Sequence, residues 1–577
     1  MIVKLAQTAG FCMGVRRAVD IVLDIARRKG DGPVYTYGAL IHNPQTVELL
    51  KRRGVVPAES IDEIDRGTVV IRAHGISPRE RARLREKDVT VVDATCPKVA
   101  RVQSIIKKHV DGGYDVIIVG DRKHPEVAGL LGYASPGGYV VGDVDDVDRL
   151  PSLDLICVVS QTTQNTRHFE RVSGRIKDRF PGALVFNTIC DSTERRQAEV
   201  MGLAGEVDAM IIVGGRNSAN TRKLLEISEN SGIPSYQVET ADELRGIDLE
   251  GIDRVGVSAG ASTPNWITDG VVDYLTLYRR GRSAGLISGF LHAWLFAVRT
   301  DIYSALGAGI LAAVSMALQK QSISLVNVLI AAFYVYSMHT LNRIQDRYLG
   351  SIKGSFRDET YLRHRKLYMG VAVLALFCAL VLALAAGPAA FASLFLISLF
   401  GYLYRFKMFP KSWPVESLRD IPGSKHIFIA LAWAVVAALI PSISTGGTPG
   451  ISTGLAFIIV ALLVFMKSVI TDMANVQSDR LMGRETVPVI MGENNSRRLV
   501  KAVSLVLAAI LIIPPAAGAG STLTPALLAA VFYVWICLKL CDRRAKFSST
   551  ALEGFFGTVY IVAGVAVFLW AAAAHVL

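Results

Sequence analysis

Cysteine is scarce in this sequence, and its opening residues lack the pattern of a secretory leader. Seven cysteines are spread over 577 residues, too few and too far apart for a disulfide framework. The opening segment MIVKLAQTAG has no basic stretch followed by an apolar run, so no signal peptide is expected. We therefore predict a reducing environment for the first part of the chain, in which thiols are free to bind metal.

Acidic residues are depleted in the second half of the chain alone. Residues 1–280 contain 37 basic and 38 acidic side chains, whereas the remaining residues contain 25 and 12. The net charge of +12 therefore belongs to the second half, which is also the more apolar one. This division excludes a uniform soluble enzyme and argues against a nucleic-acid binder. It predicts a soluble domain followed by a membrane domain.

Long apolar runs are missing before residue 280 and recur after residue 302. Nine of them approach the roughly 20 residues that a helix needs to cross the bilayer core. A shorter apolar stretch at 286–298 is expected to lie along the membrane surface. The nine runs fall at about 302–318, 323–341, 367–386, 388–404, 425–441, 452–471, 499–517, 523–540 and 555–576.

Most basic residues lie in alternate loops between these runs. Arginine and lysine cluster before the first run and after the second, fourth, sixth and eighth, whereas loops such as AGP and GAGST are nearly uncharged. Basic loops stay on the cytoplasmic side of a membrane. We predict a multi-pass protein of the cell inner membrane, with its N-terminal domain in the cytoplasm.

Carboxylates and amides gather at the inner ends of the second and sixth runs. Ordinary helix-end solvation would explain one such cluster, but two of them favour a site. Carboxylate oxygens hold Mg²⁺, and the metal bridges phosphate oxygens, so we expect a site for a diphosphate. The residues concerned are Asn342, Asp346, Asp472, Asn475 and Asp479.

This second half resembles the UbiA superfamily of membrane prenyltransferases. The resemblance covers about residues 285–577 and is clearest at 472–489, which is similar to the second acidic motif of that family. It implies transfer of a prenyl group from a prenyl diphosphate to a membrane lipid, with Mg²⁺ as cofactor. The first motif departs from the family pattern, because Arg343 and Gly350 stand where carboxylates are usual. The alternative is a non-catalytic anchor or lipid-binding domain.

The soluble half alternates β-branched runs with helical, charged stretches, which predicts an α/β fold. It contains an internal repeat: the segment from Cys96 aligns without a gap with the segment from Cys190, at an offset of 94 residues. A looser third copy starts at Cys12, and its His42 takes the place of His124. We predict three lobes around a pseudo-threefold axis, each directing one cysteine at the centre.

Each copy places its cysteine immediately before a helix, where the helix N-terminus is expected to lower the thiol pKa. Three single cysteines differ from the paired spacing of zinc fingers, and a cluster on three thiolates leaves one iron open to substrate. The surrounding groups are hydrogen-bond donors that suit a small polyanion, and Glu126 is the candidate for delivering a proton. The donors are His42, His74, His124, Thr162, Ser218, Asn220 and Ser262.

Motifs from GFCMGVRRAV to AGASTP make residues 1–275 similar to the IspH/LytB family. The family is known for reductive dehydration of (E)-4-hydroxy-3-methylbut-2-enyl diphosphate to isopentenyl and dimethylallyl diphosphates. The resemblance implies a [4Fe-4S] cluster on the three cysteines, a proton from Glu126, diphosphate or substrate on the seven donors, and an electron donor such as ferredoxin or flavodoxin. The alternative is a Cys₃ zinc or redox-sensing module.

The predicted fold class is therefore an α/β three-lobed soluble domain followed by an all-α membrane domain of about nine transmembrane helices. We place the soluble domain at 1–275, a linker and interfacial helix at 276–301, and the membrane domain at 302–577.

Overall fold

The computed structural model describes two compact units, one formed by the residues up to Tyr278 and the other by those from Leu286 onward. The described residues are 1–28, 32–278, 286–344, 361–404, 406, 417–418, 421–444, 446, 448–516, 521–542 and 547–574.

The first unit contains three parallel sheets of four strands each. Strands such as β8 and β10 are buried along their whole length, which explains their unbroken apolar sequences. The strands are β1 Ile2–Leu5, β2 Val34–Tyr37, β3 Val55–Ala58, β4 Gly67–Ile71, β5 Val89–Asp93, β6 Asp115–Val119, β7 Gly138–Val141, β8 Ile156–Ser160, β9 Leu184–Val185, β10 Ala209–Val213, β11 Ser235–Val238 and β12 Arg254–Ala259.

The three sheets share one strand order, which confirms the three-lobed prediction. The orders are β3-β2-β4-β5, β7-β6-β8-β9 and β11-β10-β12-β1. Strand β1 therefore completes the last lobe from the opposite end of the sequence, and Ile2 pairs with Arg254 in parallel register. This pairing covers the edge of β12 that would otherwise be open.

Helices follow the strands in each lobe, and the three that begin after a cysteine are α1, α4 and α8. The helices are α1 Met13–Arg27, α2 Pro44–Lys51, α3 Pro78–Arg85, α4 Pro97–Val110, α5 Pro125–Tyr133, α6 Val144–Val147, α7 Thr166–Arg179, α8 Asp191–Ala204, α9 Ala219–Glu229 and α10 Asn265–Tyr278.

The second unit is helical throughout its described residues. Seven helices are long and apolar enough to cross a membrane, or eight if a bent pair counts as one span, and Pro388–Leu403 is apolar but shorter. The predicted number of about nine is compatible with this set. The helices are Leu286–Arg299, Ile302–Leu318, Leu325–Ile344, Arg365–Ala386, Pro388–Leu403, Ser424–Ser444, Ile451–Ala474, Val476–Met482, Val487–Met491, Glu493–Ala516, Leu528–Asp542 and Ser549–Ala573.

The stretch predicted to lie at the membrane surface forms a helix of its own. It meets the first span at an angle of 83°, and its Phe290 and Phe296 side chains are 76% and 57% exposed. Asp301 lies at the bend and is fully buried. Its carboxylate pairs with the Arg343 guanidinium at 3.3 Å and accepts a 2.8 Å hydrogen bond from the Tyr361 hydroxyl. These contacts tie the bend to the helix Leu325–Ile344 and to Tyr361.

Candidate functional site

The three repeat cysteines lie at equivalent places in the three lobes. Each is the residue before a helix, and each backbone N–H donates to a carbonyl in the turn after the third strand of a lobe. The bonds are Cys12 to Ala261 at 3.1 Å, Cys96 to Ala73 at 3.0 Å and Cys190 to Thr162 at 2.9 Å.

The thiols of different lobes come close together. A Cβ atom built on Gly14 would lie 2.5 Å from the Cys96 Sγ and 4.0 Å from the Cys12 Sγ. Only a glycine allows the Cys96 thiol to approach α1 this closely, and the Cys12 and Cys96 thiols therefore lie against the same residue. All three cysteines are free and partly exposed.

A side chain shortly after each repeat cysteine bonds to a residue beside another repeat cysteine. This relation occurs three times and closes a ring around the thiols. The bonds are Arg17 Nη1 to the Thr95 carbonyl at 3.0 Å, Lys98 Nζ to the Asp191 carboxylate at 2.8 Å, and Arg196 Nη2 to the Gly10 carbonyl at 3.0 Å.

The expected lowering of the thiol pKa by the helix N-termini is wrong for two cysteines. Burial raises the pKa of the Cys96 and Cys190 thiols, although backbone amides of the following helical turn act in the opposite direction. In the chain without metal, the free-energy cost of desolvating a thiolate is larger than the stabilisation that the backbone amides give it.

Three histidines converge into what we call the imidazole cluster: His42, His74 and His124. The ring centroids are 4.6 to 5.6 Å apart. Burial lowers the pKa of all three and brings that of His124 to about 4, so the rings are neutral at pH 7. The His124 Nδ1 accepts a 3.2 Å hydrogen bond from the Glu126 amide, which leaves Nε2 as the protonated nitrogen.

Two nitrogens of this cluster and one amide nitrogen on α9 are buried and have no partner among the described residues. They are the His42 Nε2, His74 Nδ1 and Asn220 Nδ2 atoms. Buried polar atoms are normally hydrogen-bonded, so these atoms indicate a ligand with several acceptors. Three nitrogens could also hold a metal ion, but the amide donor of Asn220 favours an anion over a cation.

The helix that follows the first strand of each lobe begins at a polar capping residue. Asn43, His124 and Ser218 take this position, so Asn43 rather than His42 is the equivalent of His124. The backbone hydrogen bonds of the three cysteines likewise show that Thr163, not Thr162, is the equivalent of His74 and Ser262 in the other lobes. The repeat alignment was shifted by one residue at both turns.

Glu126 is 2% exposed and is held by Thr162. Its carboxylate accepts bonds from the Thr162 amide at 2.6 Å and from the Thr162 hydroxyl at 2.9 Å. Burial raises the Glu126 pKa, while the Thr162 bonds and the nearby Lys223 ammonium act to lower it. A carboxylic acid in this setting can hold a proton and release it.

Lys223 contributes a cation to this pocket. Burial lowers its pKa to about 8, although the Glu126 carboxylate opposes the shift. Its Nζ donates a 2.6 Å hydrogen bond to the Gln164 side chain. Sequence reasoning missed this residue, although it lies on α9 one turn after Asn220, a spacing that could have revealed it.

The second unit holds its acidic residues against cations. The Lys425 Nζ lies 2.7 Å from the Asp472 Oδ2 and 3.0 Å from its Oδ1, and the His426 Nε2 lies 3.1 Å from Oδ2. Asp472 is only 6% exposed. Neither Lys425 nor His426 was predicted individually, although both stand in the segment IPGSKHIFIALAW.

Asp479 follows Asp472 by two helical turns. Its Oδ1 pairs with the Arg484 guanidinium at 3.2 Å, and its buried Oδ2 has no hydrogen-bond partner among the described residues. An orphan carboxylate oxygen is a ligand that Mg²⁺ prefers. Asn475 lies between the two carboxylates, but its Nδ2 donates to the Thr471 carbonyl at 3.1 Å.

The first acidic motif is only partly visible. Asn342 lies in the last turn of the helix Leu325–Ile344, whereas Asp346 lies outside the described residues. Arg343, which stands in place of a carboxylate, is committed to Asp301.

Comparison with known proteins agrees with this division. Residues 3–276 match the family "LytB protein", and residues 302–559 match the "UbiA prenyltransferase family". The chain is 44% identical over 270 residues to the 4-hydroxy-3-methylbut-2-enyl diphosphate reductase of Aquifex aeolicus, covering 93% of that protein and 46% of this chain. The chain belongs to the LytB family and carries a UbiA-family domain. The reductase of Caldanaerobacter subterraneus is 39% identical over 276 residues, covering 96% of that protein and 47% of this chain.

Solved structures resemble each half separately. A reductase from Plasmodium falciparum is 27% identical to the chain, with a TM-score of 0.47, and covers 51% of this chain and 97% of its own. A UbiA homolog from Archaeoglobus fulgidus bound to GPP and Mg²⁺ is 16% identical, with a TM-score of 0.36, and covers 48% of this chain and 98% of its own.

Family membership has consequences for the cofactors. The LytB family implies a [4Fe-4S] cluster, and Mg²⁺ is typical of the UbiA family. The Cys12 and Cys96 thiols, which approach the same glycine of the LytB domain, fit a group held by thiols. The orphan Asp479 oxygen in the UbiA domain fits a divalent cation. The apolar helices of the UbiA domain form a multi-pass membrane domain.

Proposed function

We propose that the LytB domain reduces (E)-4-hydroxy-3-methylbut-2-enyl diphosphate to isopentenyl and dimethylallyl diphosphates. Two electrons and two protons enter, the carbon–hydroxyl bond breaks, one carbon–hydrogen bond forms, and water leaves. The observation that carries this proposal is the approach of thiols from separate lobes beside a buried acid and unpaired donors. The identities of about 40% to reductases support it.

Cys12, Cys96 and Cys190 would hold the [4Fe-4S] cluster, one from each lobe. When bound, the cluster supplies one-electron reduction and Lewis-acid chemistry. The ring of bonds from Arg17, Lys98 and Arg196 fixes the separation of the three thiols, so the lobes form one preorganised site.

The unpaired donors of the imidazole cluster and Asn220 would bind the diphosphate, together with Ser218 and Ser262. Neutral imidazoles donate hydrogen bonds without repelling one another, and Lys223 supplies charge. Because burial raises its pKa, Glu126 would keep a proton at a higher pH than an exposed carboxyl and pass it to the departing hydroxyl or to the allylic carbon. Thr162 would hold the carboxyl in place.

The test is anaerobic turnover by the full chain in nanodiscs, with iron and sulfide restored and reduced methyl viologen as electron source. We expect both isomeric products from the parent chain. Glu126→Gln should lose at least a hundredfold in kcat while keeping its iron, and Cys96→Ser should lose the iron. A protein that binds zinc instead, without turnover, would refute the proposal.

The UbiA domain would transfer a prenyl group from its diphosphate to a membrane lipid. Asp472 and Asp479, with Asn342, Asp346 and Asn475, would hold Mg²⁺, which neutralises the diphosphate as it leaves. Lys425 forms an ion pair with Asp472, and Arg484 forms one with Asp479. Both cations are therefore placed to bind phosphate oxygens. The unpaired Asp479 oxygen supports a metal site.

The commitment of Arg343 to Asp301 favours a second candidate, in which the UbiA domain is an anchor without catalysis. Membranes with the chain would receive Mg²⁺ and a radiolabelled long-chain prenyl diphosphate. A lipid-soluble product that disappears in Asp472→Ala and with EDTA supports the transferase. Absence of product in total lipid extract, with the reductase active in the same membranes, supports the anchor.

We further propose that the LytB domain spans 1–275 and lies in the cytoplasm, and that the UbiA domain spans 302–577 in the inner membrane. The intervening 276–301 would be a linker and interfacial helix. Basic loops on alternate sides of the spans support this orientation. The electrons would come from a protein carrier such as ferredoxin or flavodoxin.

A further inference from the structure

An arginine occurs five residues after each repeat cysteine. Cys12, Cys96 and Cys190 are followed at this distance by Arg17, Arg101 and Arg195, which we call the arginine triad. All three are exposed, on α1, α4 and α8. Since the cysteines are equivalent in the three lobes, the triad repeats around the same pseudo-threefold axis.

The triad lies close to the thiols. Five residues of α-helix span about 7.5 Å along the axis, and each of these helices begins directly after its cysteine. Met13, beside Cys12, is 61% exposed, so the chain reaches solvent next to a thiol. A molecule resting on these first helical turns is therefore near the sulfurs.

The surface around the triad is basic. The first turns of α1 and α4 contain no acidic residue. The first turn of α8 contains Asp191, which pairs with Lys98, and Glu194, which accepts a bond from Asn187. Arg16 adds a further exposed cation.

Internal structure accounts for two of the three arginines only in part and for Arg101 not at all. Arg17 bonds to the Thr95 carbonyl, and the Arg195 charge helps to lower the pKa of the Asp191 carboxyl one helical turn before it. Among the described residues, Arg101 forms no side-chain hydrogen bond or ion pair. Stability therefore gives no reason to place Arg101 here.

We propose that the arginine triad is the docking surface for an acidic protein that delivers one electron at a time. The proposal rests on the reductase function given above, whose two electrons must come from outside. Redox partners meet transiently over small interfaces, and opposite charge accelerates such encounters. The substrate diphosphate has its own donors in the imidazole cluster, so it leaves the triad unused.

The test compares two electron sources on the full chain in nanodiscs with its cluster restored. One is reduced flavodoxin, an acidic protein, and the other is reduced methyl viologen, a small cation. The variant is Arg101→Glu with Arg195→Glu. The control is Lys108→Glu, which makes one such charge reversal at the far end of α4. Iron content and circular dichroism establish that each variant is folded and loaded.

We expect the double variant to be reduced by flavodoxin at least tenfold more slowly at low salt, with the difference shrinking as salt screens the charges. Its reduction by methyl viologen and its KM for substrate should match those of the parent, and the Lys108 variant should behave as the parent throughout.

Equal rates with flavodoxin in parent and double variant would overturn the docking proposal, as would a loss shared by the Lys108 variant. A raised substrate KM would assign the triad to the substrate instead. If the parent turns over with neither reductant, the reductase function itself fails, which is a separate result.

Discussion

A Cβ atom on Gly14 would lie 2.5 Å from the Cys96 Sγ, although the two residues belong to different lobes. Gly14→Ala should therefore displace a thiol while leaving the three sheets intact. We expect iron content after anaerobic reconstitution to fall at least fivefold, with unchanged circular dichroism.

Gly202→Ala is the matched control for this change, because Gly202 lies within α8 and a Cβ there meets nothing within 4 Å. It should load iron as the parent does and gain slightly in stability from the better helix propensity of alanine. Full iron content in Gly14→Ala would contradict this prediction, because it would mean that the Cys96 thiol does not lie against Gly14 in the iron-loaded protein.

Thr162→Val removes a hydroxyl that donates to the Glu126 carboxylate at 2.9 Å. This bond stabilises the charged form, so its loss should raise the Glu126 pKa further. If the protonated acid is the active form, activity is lost as pH rises through that pKa. The alkaline limb of kcat/KM against pH should then move to higher pH.

Thr163→Val serves as the control for Thr162, because the Thr163 hydroxyl accepts from Gln161 rather than donating to Glu126. Its alkaline limb should stay with that of the parent. A limb that moves to lower pH in Thr162→Val would contradict the assigned direction of the Glu126 shift.

Lys223 loses its charge at an accessible pH, since burial lowers its pKa to about 8. The ammonium is charged below that pH, so the KM for the diphosphate substrate should begin to rise above it. Lys223→Arg keeps a cation at all these pH values and should remove the rise. A KM profile that is the same in both proteins would exclude Lys223 from diphosphate binding.

Arg343→Met removes the partner of the buried Asp301 in the UbiA domain. Loss of a buried ion-pair partner costs about 3–5 kcal/mol, and we expect about 2 kcal/mol because Arg343 is one-quarter exposed. The melting temperature in detergent should fall by several degrees. Adding Asp301→Asn should restore much of it, because asparagine removes the charge and tolerates the positive φ of 61°. No recovery in the double variant would exclude the ion pair as the cause.

The architecture of both halves could be predicted because it rests on local patterns. The 94-residue repeat is a sequence property, and each β-branched run that it contained became a strand. The apolar runs likewise became helices, since a bilayer leaves the backbone few other ways to satisfy its hydrogen bonds. The stretch at 286–298 became a separate helix, Leu286–Arg299, for the same reason.

The finer register of the site was harder to predict. Aligning the repeats by residue type made His42 the equivalent of His124. In the structure, however, the residue that caps the corresponding helix is Asn43. A cap is chosen by the backbone at a helix start, and two adjacent polar residues do not reveal which of them it is. The raised pKa of the Cys96 and Cys190 thiols was not predicted, because their burial depends on the packing of the lobes against one another.

The amino-acid sequence by itself determined the two domains, the triple cysteine pattern and the alternating basic loops, because each follows from periodicity or composition along the chain. Only the tertiary structure decided which groups meet. It brought β1 to the last lobe, Lys223 to Glu126, Lys425 to Asp472 and Arg343 to Asp301. These partners are separated by many residues, and their pairing depends on packing and desolvation rather than on any local pattern.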